Sequence, residues 1–350
     1  VTVDFSTVRR TRPPAKPGSV TAMITKQDND YHIRTSGCAP LSAVVPIRNR
    51  AFAITHVLDA LAASEGVDLE IIVVDDASDD DGAFRAAAHP SRPTVIRLAK
   101  PVGSSVARNV GTVLTSAPTV LYVDGDMVLP PLTLRELASR AADDLVLLGF
   151  RQHVPAAALA AGPLTPTSVD LDQDPRASTI FPAGLLPFSG TILDSPKRCR
   201  LLDETDDLRG LGNGRWVFDW SLPRTVITAL VAMPREAVID VGGFHPGFHG
   251  LWGAEDAYVG AKLIAAGCKV APVRSAIGLH VDPPETQSEH SRKLNSLPRT
   301  VAFFHSLLAQ PMPTGGDTWL HDHAEAQLNR ATVIHGDRRS NPFHELTEPR

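Results

Sequence analysis

Two carboxylates one residue apart, Asp124 and Asp126, flank Gly125 directly after the apolar run Val120-Leu121-Tyr122-Val123. Carboxylate oxygens are hard ligands that suit Mg2+ or Mn2+, and such ions keep open positions for substrate phosphates. Taken alone, the tripeptide reads more readily as a turn, because Asp-Gly is a common turn pair. Upstream, five acids fall within the seven residues Asp75 to Asp81, again after an apolar run, where Asp75 or Asp76 could accept hydrogen bonds from a base or ribose. Taken alone, that cluster reads rather as a solvated loop with a helix cap, since Asp and Ser are favoured caps. Gly103 to Asn109 opens a helix after a strand and carries Arg108, whose planar, always charged fork suits a phosphate or a base edge. The run Phe248 to Asp256 places Trp252 and Gly253 in a glycine-rich loop just before Glu255 and Asp256. Two acids favour a helix N-terminus for dipole reasons, but a tryptophan between glycines is better suited to lie under a sugar ring, with a carboxylate nearby as general base. His280 follows the short strand Ser275 to Leu279 and is expected at its end.

These residues need elements to hold them, and the patterning supplies an alternation. Leu41 to Pro46, Glu70 to Val74, Thr94 to Leu98 and Thr119 to Val123 read as strands; Ala51 to Ser64 and Ser104 to Ser116 have helical spacing. Strands alternating with helices predict an α/β, doubly wound, mostly parallel sheet whose ligands bind beyond the carboxyl ends of the strands. The polar clusters at 46–50, 75–81 and 124–126 sit at those ends. Further on, Thr225 to Met233 is apolar, a helix is expected to begin at Pro234 and stop at Gly242-Gly243, and another to run from Glu255 to Ala266 before a strand over Cys268 to Val273. Residues 1–36 read as an N-terminal arm, 37–283 as the main domain, and 284–350 as a C-terminal helical extension interrupted near Pro298 and Pro311. Within the domain, residues 151–222 have little periodicity and are expected to form an insertion facing the acceptor. Trp216, Phe218 and Trp220 there suggest an apolar or sugar-binding face, or simply a packed aromatic cluster.

Composition narrows the partners. A net charge of -5 over 350 residues gives no reason to expect general nucleic-acid binding. No run approaches the roughly 18 apolar residues of a transmembrane helix, and no basic segment leads into an apolar run at the start, so a cytoplasmic location is expected. Cys38, Cys199 and Cys268 lack metal-ligand spacing and indicate neither a disulfide framework nor a zinc site.

The five segments in this order, Pro46-Ile47-Arg48-Asn49, Val74 to Ser78, Gly103 to Asn109, Asp124-Gly125-Asp126 and Trp252 to Asp256, resemble the family 2 glycosyltransferases of the GT-A fold over roughly residues 40–283. The resemblance implies a nucleotide-sugar site built from Pro46, Arg48, Asp75 or Asp76, Gly103 and Arg108 around base and ribose. Asp124, Gly125 and Asp126 would lie around sugar and metal, with Asp126 the direct ligand. Where many relatives carry an aromatic residue, this chain has Arg48. The Trp-Gly-x-Glu-Asp segment is similar to that of galactosyl- and N-acetylgalactosaminyltransferases, which implies Asp256 as the base, Glu255 binding hydroxyls, and Trp252 and Gly253 near the donor. His280 matches the family's later metal-binding histidine, with His290 as the competitor. The implied activity is inverting, metal-dependent transfer from a nucleotide-diphosphate sugar, with uracil the implied base, to an acceptor that could be a saccharide, natural product, lipid or peptide. A sugar-nucleotidyltransferase would instead show a glycine-rich basic phosphate loop after the first strand, which Val45 to Arg50 is not. A catalytically inactive sugar-binding protein would have no use for a base at Asp256.

Overall fold

The computed structural model describes residues 38–161, 180–181, 197–198, 226–284, 287–311 and 319–336. The expected N-terminal arm, Trp216, Phe218 and Trp220, and most of the expected insertion lie outside the described residues.

In chain order the first half consists of β1 (Leu41–Ile47), α1 (Ile54–Ala62), β2 (Leu69–Asp75), α2 (Gly82–Ala87), β3 (Thr94–Arg97), α3 (Ser104–Leu114), β4 (Thr119–Val123), β5 (Met127–Val128), α4 (Thr133–Ala138) and β6 (Leu145–Pro155). The second half adds β7 (Leu230–Pro234), α5 (Arg235–Asp240), α6 (Glu255–Ala265), β8 (Lys269–Asp282), α7 (Gln287–Leu308), α8 (Trp319–Leu328) and β9 (Thr332–His335). A short ribbon outside the main sheet pairs Ile180–Phe181 with Lys197–Arg198. No helix among the described residues is long and apolar enough to cross a membrane.

One nine-stranded sheet runs in the order β9-β3-β2-β1-β4-β7-β6-β8-β5. The two longest ladders, β1 with β2 and β6 with β8, are parallel, as are β2 with β3 and β1 with β4. The sheet is nevertheless mixed: β7 runs antiparallel between β4 and β6, and β5 and β9 are antiparallel edges. β1 and β4 are buried along nearly their whole length, as expected of strands covered on both faces, which read as apolar runs rather than alternations.

Two tail expectations are corrected. α7 runs continuously through Pro298: Phe304 and Leu307 are buried against Phe248, Ala257 and Tyr258, and this packing outweighs the cost of about 3 kcal/mol for an interior proline. The tail is also not purely helical, because β9 pairs with β3 and completes the sheet. Register aligns Ile47 of β1 with Asp75 of β2, and Val44 of β1 with Tyr122 of β4. The carboxyl ends of these strands therefore open on one side, where the site lies.

Candidate active site

The turn that closes β4 is fixed by the Met127 N–H donating to the Asp124 carbonyl at 3.0 Å. Gly125 is required by proximity rather than by backbone angle: a Cβ there would lie 2.6 Å from Ile47 Cγ2 and 3.2 Å from the Pro46 carbonyl oxygen. The Asp-Gly-Asp turn thus packs directly on the end of β1. From that end Arg50 reaches back, its Nε 2.8 Å from Asp126 Oδ2. Nothing in the sequence singled out Arg50 from the polar cluster 46–50; only the packing of the two strand ends does.

His280 arrives from the other half of the chain. It lies within β8 rather than beyond its end, opposite Met127 of β5 and beside His153 of β6. Its Nε2 stands 3.3 Å from Asp126 Oδ1 and 3.7 Å from Asp124 Oδ2. Burial opposes the imidazolium, but the Asp126 and Asp124 carboxylates raise its pKa well above the ordinary histidine value. Asp124 is held well below the usual carboxylate range: His280 and Arg108 overcome the opposing effect of burial. His290 is on α7, and its side chain lies outside the described residues.

α3 contributes Arg108, which is 5% exposed. Its Nη2 donates to Asp124 Oδ1 at 2.9 Å and its Nη1 to Glu255 Oε1 at 3.4 Å, joining the first half of the chain to α6. Ser104 Oγ also donates to Glu255 Oε1, at 3.2 Å. The start of α3 is anchored by Asp76, whose carboxylate accepts from the N–H groups of Val102 at 2.6 Å and Gly103 at 2.9 Å. Gly103 adopts φ 94, and a Cβ there would lie 2.9 Å from His249 Nδ1; both the angle and the space favour glycine. Asp75, offered as an alternative base or ribose ligand, does not line the cavity. It is fully buried, accepts from Ser78 N–H at 3.0 Å and pairs with Arg97 at 3.0 Å, so it acts inside the fold. Arg48 donates to the Asp76 carbonyl at 2.9 Å and does line the cavity, as do Pro46 and Asp76.

The opposite wall is the loop into α6. Gly250 and Gly253 take φ 76 and 83, and Ala254 follows at φ 69, a left-handed angle that costs a non-glycine residue about 1 kcal/mol. That bend starts α6 so that Glu255 and Asp256 occupy its first turn. Trp252 remains 37% exposed on the cavity wall and is not core. Asp256 is 4% exposed, and burial, reinforced by the neighbouring Glu255 carboxylate, pushes its pKa up to about 7.

These groups face one cavity of about 890 Å3. Apart from Asp75 and His290, it brings together the residues singled out in the sequence for donor, metal and base, and adds Arg50, Arg151, His153 and Asp282. Asp124, Asp126 and His280 offer ligand atoms within 4.8 Å of one another, a donor set of two hard oxygens and one imidazole that could hold a divalent ion. His153 carried no local signal, since its place beside His280 follows from strand register alone.

Known proteins resemble this chain in sequence and in fold. The model of glycosyl transferase family 2 matches residues 42–162, and that of the N-terminal domain of galactosyltransferase matches residues 216–282. The fold is the α/β GT-A fold: a mannosyltransferase from Pyrobaculum calidifontis, solved in complex with GDP-Man and Mn2+, superposes with a TM-score of 0.50 at 17% identity, covering 84% of this chain and 70% of that one. Validoxylamine A glucosyltransferase of Streptomyces hygroscopicus is 27% identical over 291 residues, 75% of this chain and 60% of the relative. Succinoglycan biosynthesis protein ExoO of Rhizobium meliloti is 34% identical over 99 residues, 28% of each chain. The chain thus spans less than two thirds of the length of these two curated relatives.

Proposed function

We propose that this protein transfers a sugar from a nucleotide-diphosphate donor, a UDP-sugar by family resemblance, to an acceptor hydroxyl, with inversion and with Mn2+ or Mg2+. The observation that carries this reading is the pairing, in one cavity, of a two-carboxylate and imidazole cluster with a buried acid whose pKa is raised to about 7. The first suits a diphosphate bound through a cation, and the second suits proton removal near neutral pH. The family matches support the reading, as do the GDP-Man and Mn2+ of the mannosyltransferase neighbour and the glucosyl transfer named for the Streptomyces relative.

The residues fit the cation. Asp126 is buried, carries a carboxylate oxygen toward His280, and shares the pocket with Asp124. These three residues would hold it, and when bound it would offset charge gathering on the leaving diphosphate. Arg108 holds the Asp124 and Glu255 carboxylates in place from α3. Asp256 takes the proton of the attacking acceptor hydroxyl while Glu255, steadied by Ser104 and Arg108, binds sugar or acceptor hydroxyls. Trp252, partly exposed on the cavity wall, offers a ring on which a pyranose can stack. Direct displacement by a deprotonated hydroxyl on the face opposite the leaving group inverts the anomeric carbon.

Calorimetric titration with a panel of nucleoside diphosphates, in Mn2+ and in chelator, tests this. One nucleotide binds tightly and only with metal; Asp126→Ala abolishes that binding, whereas Asp256→Asn preserves it and removes sugar transfer. Equal loss of nucleotide binding in both variants overturns the division of roles.

A further inference from the structure

His280 has two ring nitrogens, and they face different carboxylates. Nε2 faces Asp124 and Asp126. Nδ1 points the other way, toward Asp282 Oδ1 at 3.8 Å, and is buried without a hydrogen-bond partner. At 3.8 Å there is no hydrogen bond, yet a buried polar atom left unpaired is costly. A small rotation of the Asp282 side chain would close the gap.

Asp282 is held ready for that contact. His153 Nδ1 lies 2.8 Å from Asp282 Oδ1, and the parallel register of β6 and β8 pairs His153 with His280, ring centroids 4.9 Å apart at 71°. Asp282 is two residues beyond His280 on the same strand and so projects to the same face. A carboxylate has about four acceptor positions, enough to serve both imidazoles. The side chains of Asp282 and His153 are 51% and 42% exposed, so water would satisfy them without this arrangement. The buried Nδ1 of His280 is the atom that lacks a partner.

We propose that Asp282, anchored by His153, is the positioning residue for His280: its carboxylate accepts a hydrogen bond from Nδ1–H and so turns the Nε2 lone pair toward a divalent cation shared with Asp124 and Asp126. The proposal rests on the cation reading given above. The physical reason is general: which imidazole nitrogen is free to bind a metal is set by the hydrogen bond the other one makes.

The test is Mn2+ binding to the full chain, followed by electron paramagnetic resonance without nucleotide. Asp282→Ala weakens Mn2+ by about 10- to 100-fold, the range expected when such a partner is lost. His153→Ala has a smaller effect of the same sign, and Asp282→Asn, whose amide oxygen still accepts from Nδ1, recovers part of the loss. In a His280→Ala background, Asp282→Ala causes no further loss. Unchanged Mn2+ affinity in Asp282→Ala overturns the proposal. So does an undiminished loss in the His280→Ala background, which would make Asp282 itself a ligand or a bulk charge. Asp126→Ala separates the two levels: if it loses Mn2+ while Asp282→Ala does not, only the positioning role fails, whereas wild-type affinity in Asp126→Ala removes the cation site itself. Thermal melting of each variant checks that the fold is intact, above all for the more deeply buried Asp126 and His280, since Asp282 and His153 are half-exposed.

Discussion

Asp256 stands under influences that oppose each other, the start of a helix on one side and burial beside a carboxylate neighbour on the other. The N-terminus of α6 favours a negative charge, but burial and Glu255 keep the proton on up to about pH 7. Transfer should therefore rise with pH through about 7 as the base becomes available. Glu255→Gln removes the like charge, lets Asp256 ionise at lower pH, and moves that limb downward; a kcat/KM profile of the variant with an unchanged limb would rule out the coupling. The same shift acts on stability with a definite sign. An unfolded chain releases this proton near the ordinary aspartate value, so the wild-type fold loses stability as pH rises from there to about 7. Asp256→Asn does not titrate, and its advantage in unfolding free energy should grow across that interval to on the order of 2–4 kcal/mol and then level off. Chemical denaturation of both proteins along a pH series measures it. In the role proposed for it, Asp256 would gain activity at the expense of stability.

At the scale of elements, the contacts that hold the site are less conspicuous than the site itself. Asn109 follows Arg108 on α3, and its side-chain amide exchanges two buried hydrogen bonds of 2.7 Å with the backbone of Phe244, beyond α5. Lys262 of α6 donates to the Val241 carbonyl of the same segment at 2.7 Å. Three helices are thus clamped on one turn, and Gly243 within it has φ 57 and leaves no space for a Cβ, which would lie 2.4 Å from Asn109 Oδ1. Asn109→Ala strands two buried backbone groups and should cost about 2–4 kcal/mol in urea unfolding. A loss below about 0.5 kcal/mol would mean that water replaces the amide. Asn109 was legible in the sequence only as part of a segment. Its clamp spans two helices, and local pattern carries no trace of a partner so distant in the chain.

At the scale of the whole molecule, parts of the chain beyond Pro284 belong to the core. Leu320 and Ala324 of α8 are fully buried with Val106, Val110 and Val113 of α3, and β9 extends the sheet beyond β3. A chain ended at residue 284 would uncover that cluster beneath the helix that carries Arg108. It should melt well below the full chain and bind an apolar dye; retention of the full thermal midpoint would show the segment to be a dispensable extension. The halves also meet electrostatically, because Arg108 pairs with Asp124 from one and Glu255 from the other. Removing a single partner of such a buried network costs more than its net contribution to the fold, since the other charges stay buried.

The sequence by itself determined the strand ends and what stood on them. Short apolar runs followed by Asp75-Asp76, Asp124-Gly125-Asp126 and Pro46 to Arg50 are local signals, and parallel strands with helical crossovers place such ends together. It also determined the start of α6, where glycines, a tryptophan and two acids are adjacent. The tertiary structure alone decided that Asp75 turns into the core and Asp76 to the cavity, that Arg50 reaches Asp126, and that His153, His280 and Asp282 share one face. It decided too that α7 passes through Pro298 and that β7 runs antiparallel. The reason is one of range: periodicity and turn chemistry act over a few residues, whereas strand register and helix packing join segments far apart in the chain, and a change of one residue in register would point each of these side chains to the other face.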